Sequence, residues 1–192
     1  MTSILRQSLL AVRMLAVMTF LLGVLYPLGI WTIGRVVSPT ANGSFVTDNT
    51  GRTVGSALIG QSFTGEQWFW PRPSAAGNGY QAQASGGSNL GPDEGRLADS
   101  IRRRKLAFAT SNHASIEQVP ADAVTASGSG VDPDITPRNA EAQVARVARL
   151  RHLPVALLRQ LVATHTRGRI LGFMGEPRVN VLELNLALEH LT

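Results

Sequence analysis

The chain has no cysteine in its 192 residues, only one lysine, Lys105, and only one long apolar run. The first absence excludes a disulfide framework, a thiolate nucleophile and any Cys-based metal site. Histidine is scarce as well: the four present, His113, His152, His165 and His190, never fall at the H-x-x-x-H spacing that puts two ligands on one helical face. No D-x-D-x-D-G loop or distal Glu makes a calcium site of Asp132 and Asp134. The sequence therefore offers no metal site. The formal charge is +5, yet Arg102 to Lys105 is the sole dense basic cluster and lacks interleaved aromatics. It reads as the solvated face of a helix whose other face carries Leu97, Ile101 and Phe108, so no nucleic-acid partner is expected.

What is present begins with Met14 to Gly34, uncharged and apolar between Arg13 and Arg35. As a helix such a run rises by about 31 Å, close to the thickness of a bilayer's hydrocarbon core. It exceeds the h-region of a cleaved signal peptide and no A-x-A site follows it, so a retained anchor is the expectation. Arg6 and Arg13 precede the run, and the first acidic residue after it is Asp48. That bias keeps residues 1–13 in the cytoplasm, makes 14–34 the transmembrane helix, and places 35–192 outside as one soluble domain. Thr19 and Gly23 form a small-xxx-small pair suited to a neighbouring helix, Tyr26-Pro27 provides a bend, and Trp31 suits the interface. No charge within the span provides an ion with a ligand or a proton with a relay. Membrane lipid and a membrane partner are its expected surroundings.

Beyond the span, Phe45-Val46, the turn residues Asp48 to Gly51, and Thr53-Val54 followed by Leu58-Ile59 predict a hairpin. Phe63, Trp68, Phe69 and Trp70 read as core filler under an irregular segment. A loop over 74–91 precedes a helix from Pro92 to about Ala109, and residues 110–135 read mostly as loop. Thr136-Pro137 predicts an N-cap and a helix burying Ala140, Val144 and Val147, with Arg146, Arg149 and Arg151 projecting elsewhere. Pro154 opens another helix, with Leu157, Leu158, Leu161 and Val162 inward and Gly168 at its end. Ile170 to Phe173 reads as a strand, 175–177 as a turn, and Asn180 to Glu183 as the capped start of a helix bearing Leu182, Leu186 and Leu188. The sum is an α+β domain behind one membrane helix.

Three stretches invite chemistry. Ser85-Gly86-Gly87-Ser88 offers backbone amides to an anion, but lacks the strand and the Lys-Ser/Thr of a P-loop. Between Val124 and Pro137, Ser127 and Ser129 are candidate nucleophiles for an anchored extracytoplasmic serine hydrolase. A nucleophile elbow needs Gly at position 127, so the simpler reading is a turn whose hydroxyls and carboxylates satisfy backbone amides. Glu176 and Arg178 either clamp a ligand or hold the last helix to the domain.

Taken in order, several motifs resemble one family. They are Tyr26-Pro27-Leu28, VGSALIGQSF at 54–63, the RPSA of 72–75 with Arg72 and Ser74, SGGSNLGP at 85–92, VPADAVTASGSGVDPDITP at 119–137 with Ser127, Ser129 and Asp132, then Gln143 and Arg146, and GEPRVNVLELN at 175–185 with Glu176, Arg178 and Asn180. Nearly end to end, the chain resembles the C subunit of the bacterial Kdp-type potassium-transporting ATPase, the KdpC family. Asp134 stands where that family often has His, which argues against a catalytic role for the position. The resemblance implies a non-catalytic subunit of an inner-membrane potassium uptake complex, with no cofactor bound by its own chemistry. Its implied partners are a channel-like potassium-binding subunit, a P-type ATPase subunit and a small single-span subunit. It also implies a catalytic chaperone that raises the ATP affinity of the pump subunit, with ATP contact for which Ser85, Gly86, Gly87 and Ser88 are the candidates. An extracytoplasmic domain pulls against that last implication, since ATP is cytoplasmic.

Overall fold

A computed structural model describes residues 3–37 and 40–191 in two units, Met1–Ser44 and Phe45–Thr192. Residues 1 and 2 of the predicted tail, 38 and 39 just after the span, and 192 lie outside the described residues.

The first unit is one apolar helix from Ser3 to Val36, about 51 Å long at 1.5 Å per residue. It therefore includes the described part of the predicted tail as well as the predicted span. Helix α1 (Ser3–Phe20) and helix α2 (Tyr26–Val36) are joined by a π-helical turn over Leu21–Leu25, closed by the Tyr26 amide donating to the Leu21 carbonyl. Proline explains the turn: Pro27 has no N–H, and its ring would crowd the carbonyl of Gly23 in a regular α-helix. Thr32 Oγ1 donates back to the Leu28 carbonyl at 2.8 Å, and the Arg35 guanidinium lies 4.9 Å from the Trp31 ring centre.

The second unit is an α+β domain. Strands β1 (Phe45–Thr47) and β2 (Thr53–Ser56) form the predicted hairpin, its turn held by Asp48 Oδ1, which accepts from the Thr50 and Arg52 amides. Leu58 and Ile59 fall beyond β2, in a turn where Ser56 Oγ accepts from the Leu58 amide. Helix α3 (Gly95–Asn112) starts three residues later than the sequence suggested. Strand β3 (Asp134–Ile135) leads into α4 (Pro137–Arg151), capped as predicted by Thr136 Oγ1, which accepts from the Asn139 amide at 3.1 Å. Helix α5 (Val155–Thr164) stops short of Gly168, because β4 (Thr166–Arg167) begins almost at once. Strand β5 (Arg178–Asn180) runs into α6 (Val181–Glu189), where Asn180 Oδ1 accepts from the Glu183 amide at 3.1 Å. The sheet order is β3-β5-β4, both neighbours antiparallel to β5. Residues 170–173 are not a strand; Ile170 and Met174 instead bridge a tight exposed turn.

Helix α4 is the middle of the domain. Ala140, Val144, Val147 and Ala148 pack with Leu158 and Val162 of α5, Val179 of β5, and Val181, Leu184 and Leu188 at α6, around Phe69. A second cluster joins Phe108 and Ala109 of α3 to Val119 and Val124, with Trp70, Ile101 and Ala142 against it. Between the two clusters α4 carries a polar ridge, Asn139, Gln143 and Arg146, each 0% exposed. Arg146 was expected to project outward, but its guanidinium is buried because residues 66–70 have no regular partner for their peptide groups. It donates from Nη1 to the carbonyls of Glu66 and Trp68, from Nε to Asn112 Oδ1 at 2.9 Å, and from Nη2 to Gln143 Oε1 at 2.7 Å, with Cζ 3.9 Å from the Trp70 ring centre. Gln143 accepts from the Trp70 amide and donates to its carbonyl, while Asn185 of α6 does the same for Phe69 at 2.9 Å each. Burial lowers the Arg146 pKa to about 10, with Glu66 opposing, so the cation persists at neutral pH.

Arg146→Ala leaves three acceptors, the Glu66 and Trp68 carbonyls and Asn112 Oδ1, without their donor and is expected to cost about 3–5 kcal/mol of stability. Urea denaturation of the detergent-solubilised full chain, followed by tryptophan emission, measures it. Arg146→Lys, with a charge but no planar fork, should fall between the variant and the native protein.

Candidate functional site

The family-like motif residues that lie far apart in sequence meet at the edge of the β3-β5-β4 sheet. Residues 124–133 arrive there as a loop that satisfies itself: Ser127 Oγ accepts from the Gly130 amide at 2.9 Å, and Ser129 Oγ from the Val131 amide at 3.2 Å. Both hydroxyls thus serve as turn acceptors, and no hydrogen bond among the described residues joins either to a histidine. Gly130 has φ +68°, and a Cβ there would sit 2.6 Å from the Gly86 carbonyl oxygen and 2.7 Å from the Ala76 amide, so only glycine fits.

The Gly-Ser stretch folds against this loop. The Gly86 amide donates to the Ser129 carbonyl at 2.7 Å, and Ser85 Oγ donates to the same oxygen at 2.9 Å. Of the proposed anion-binding amides, that of Gly86 is therefore engaged with the protein. Ser74 Oγ donates to the Gly130 carbonyl and accepts from the amides of Ala76 and Tyr80, and the Tyr80 hydroxyl donates to the Arg72 carbonyl. Burial, reinforced by Asp132, holds the Tyr80 phenol protonated well above its ordinary value.

Arg72 then meets Asp132, Nη1 to Oδ2 at 3.0 Å, while Asp132 Oδ1 accepts from the Asp134 amide at 3.0 Å. Asp134 lies opposite Asn180 in the β3-β5 register and pairs with Arg178 at 3.0 Å. Asp122 caps the approach to α4, accepting from the Thr136 amide at 2.8 Å and from Asn139 Nδ2 at 3.1 Å. Arg72, Asp122, Asp132, Asp134, Thr136, Glu176 and Arg178 line a cleft of about 270 Å³. Arg72 Nε and Asp134 Oδ1, both shielded from solvent, meet no hydrogen-bond partner among the described residues. Glu176 extends from the rim and pairs with Arg169 at 2.8 Å, and Asn180 Nδ2 ties the sheet to the Ala57 carbonyl at 2.8 Å.

Arg72, Ser74, Ser127, Ser129, Asp132, Glu176, Arg178 and Asn180 are thus gathered around one loop cluster and cleft, whereas Gln143 and Arg146 form the buried brace. Asp122 was not singled out from sequence, because its partners lie 14 and 17 residues away, beyond any local capping signal. The motif GEPRVNVLELN did contain Asn185, whose role appears only in contact with Phe69. In the first unit, Gly23, Val24, Pro27, Leu28 and Trp31 line an open apolar groove beside the π turn, with Thr19 against Gly23. Among the described residues, no group of three or more His, Asp or Glu side chains is placed to hold a metal ion. The cleft is built for ion pairing and hydrogen bonding, Thr136 Oγ1 donating to Asp122 Oδ1 at 3.1 Å within it.

The family profile described as "KdpC: K+-transporting ATPase, c chain" matches residues 8–190. The chain is 53% identical over 188 residues to a protein named potassium-transporting ATPase KdpC subunit from Kineococcus radiotolerans, covering 98% of this chain and 95% of that one. A Koribacter versatilis protein of the same name is 52% identical over 180 residues, covering 93% and 92%. One from Mycobacterium tuberculosis is 46% identical over 188 residues, covering 97% and 99%.

Burial raises the Asp134 pKa above 3.8, Arg178 opposes it, and Asp132 adds to it. A carboxyl whose folded pKa is raised contributes stability that is present below its unfolded pKa and lost as pH rises through the folded value. Asp134→Asn keeps an acceptor for Arg178 without the titration. Its stability should therefore decline less than that of the native protein as pH rises from about 3.8 to neutrality, measured by urea denaturation at stepped pH.

Proposed function

The chain belongs to the KdpC family, the C chains of K+-transporting ATPases, and from that premise we propose that it is a non-catalytic accessory subunit of a high-affinity, ATP-driven potassium uptake complex. The observation that carries the reading is the extent of the match, residues 8–190, which takes in both the apolar helix and the folded domain. On this reading residues 14–34 cross a bacterial inner membrane, 1–13 stay in the cytoplasm and 35–192 form a periplasmic domain, as the flanking arginines favour.

Thr19, Gly23, Tyr26 and Pro27 provide the face for a neighbouring membrane helix, since the groove beside Gly23 and Pro27 admits a side chain close to the backbone. The partners are a channel-like potassium-binding subunit, a P-type ATPase subunit that performs the hydrolysis, and a small single-span subunit. The domain stabilises the outer side of the channel-like subunit. A periplasmic domain does not touch cytoplasmic ATP, so the chaperone effect on ATP affinity passes through the membrane subunits rather than through Ser85 to Ser88. The engagement of the Gly86 amide with Ser129 supports this.

Deleting residues 37–192 while keeping the span should reduce recovery of the assembled complex and weaken its apparent potassium affinity. Full retention of both would end this reading. The hydrolase alternative is separated by Ser127→Ala with Ser129→Ala: potassium-limited growth should survive where the fold survives, and a serine-directed probe should label neither native protein nor variant. Covalent labelling lost with the hydroxyls would favour the enzyme.

A further inference from the structure

The hairpin joining β4 to β5 ends in a feature that neither the cleft nor the brace uses. Ile170, Leu171, Phe173 and Met174 are 54%, 80%, 71% and 53% exposed, a concentration of apolar surface that soluble domains avoid. The backbone presents them rigidly. The amides of Ile170 and Met174 each donate to the other's carbonyl at 2.9 Å, and Phe173 N–H donates to the Ile170 carbonyl at 3.3 Å. Leu171 and Gly172 have φ of +53° and +81°, the conformation of a primed turn in which Asn-Gly is the favoured pair. A leucine there is disfavoured by the backbone and by water together, so local folding preferences do not account for it. At the neck Arg169 pairs with Glu176, while Arg167 and Arg178 are held by Glu183 and Asp134.

We infer that the tip at residues 170–174 dips into the lipid interface of the bilayer that anchors the chain, a deduction that rests on residues 14–34 being a membrane span. The tether decides for lipid. Residues 37–44 reach at most about 28 Å, and the domain has a radius of gyration of about 15 Å, so its surface never leaves the bilayer's neighbourhood. Four apolar side chains would hold a free protein on a membrane only weakly, but a tethered domain meets lipid at a high effective concentration and needs only a small preference. The tip is an apolar cluster that supplies it, with Arg167 and Arg169 behind it at the level of the phosphates.

The cysteine-free sequence makes the test direct. Full-length Leu171→Cys, labelled with an environment-sensitive fluorophore in nanodiscs, should emit to the blue and be quenched by nitroxides on the lipid acyl chains. Adding Phe173→Asp, an exposed change that leaves the core untouched, should reduce that quenching about threefold or more. A label reached by aqueous iodide and indifferent to lipid nitroxides overturns the inference. So does a label shielded only in the assembled complex and not quenched by lipid, which would assign the tip to a protein partner. A Thr19→Cys label monitors the span: if it too escapes the nitroxides, the anchor reading has failed rather than the tip.

Discussion

The domain depends on the way α4 and α6 hold residues 66–70. This segment carries three aromatic side chains into or against the core, yet it is neither helix nor strand, so its peptide groups enter the interior without a ladder. Gln143 and Asn185 act as substitute strands, each amide side chain exchanging two hydrogen bonds with one residue's backbone. Arg146 closes the Glu66 and Trp68 carbonyls and stacks on Trp70, while Arg151 Nε donates to the Gln67 carbonyl at 3.2 Å. A buried cation with only neutral acceptors around it is tolerated because the guanidinium is spread over several short bonds and an aromatic face.

The same logic orders the edge of the sheet. Arg72 follows the braced segment directly, so its position on Asp132 is inherited from the core rather than set by its own loop. Strand β5 links Arg178 and its carboxylate partner to the α6 cap at Asn180, which also reaches back to Ala57 near the first hairpin. Core, cleft and the two sheets are thereby one connected network. A local shift at any one of these contacts is therefore resisted across the whole domain.

Much of this was legible in the residues. Thr136-Pro137 and Asn180 announced their helices because capping is decided within three residues, and the Asp48 turn and the apolar run needed no long-range information. The self-bonded Ser-Gly loop was read correctly for the same reason. Arg146 was misread because helical periodicity alone sends an arginine to water, and all but one of the acceptors that retain it lie 34 to 80 residues away. Ile170 to Phe173 was read as a strand because apolar residues in a row look buried, while a positive φ at Leu171 leaves no mark in composition. The cleft could not be anticipated as a unit, since its residues come from four separate stretches.

The π turn at Leu21–Leu25 gives the apolar helix a property that a regular helix lacks. One residue is accommodated there without advancing the α-helical ladder, which offsets the side chains on either side by about 100°. Thr19 and Trp31, which a regular helix would set about 120° apart, are thereby brought to within about 20° of one another, so Thr19, Gly23 and Trp31 share one face that continues past the turn.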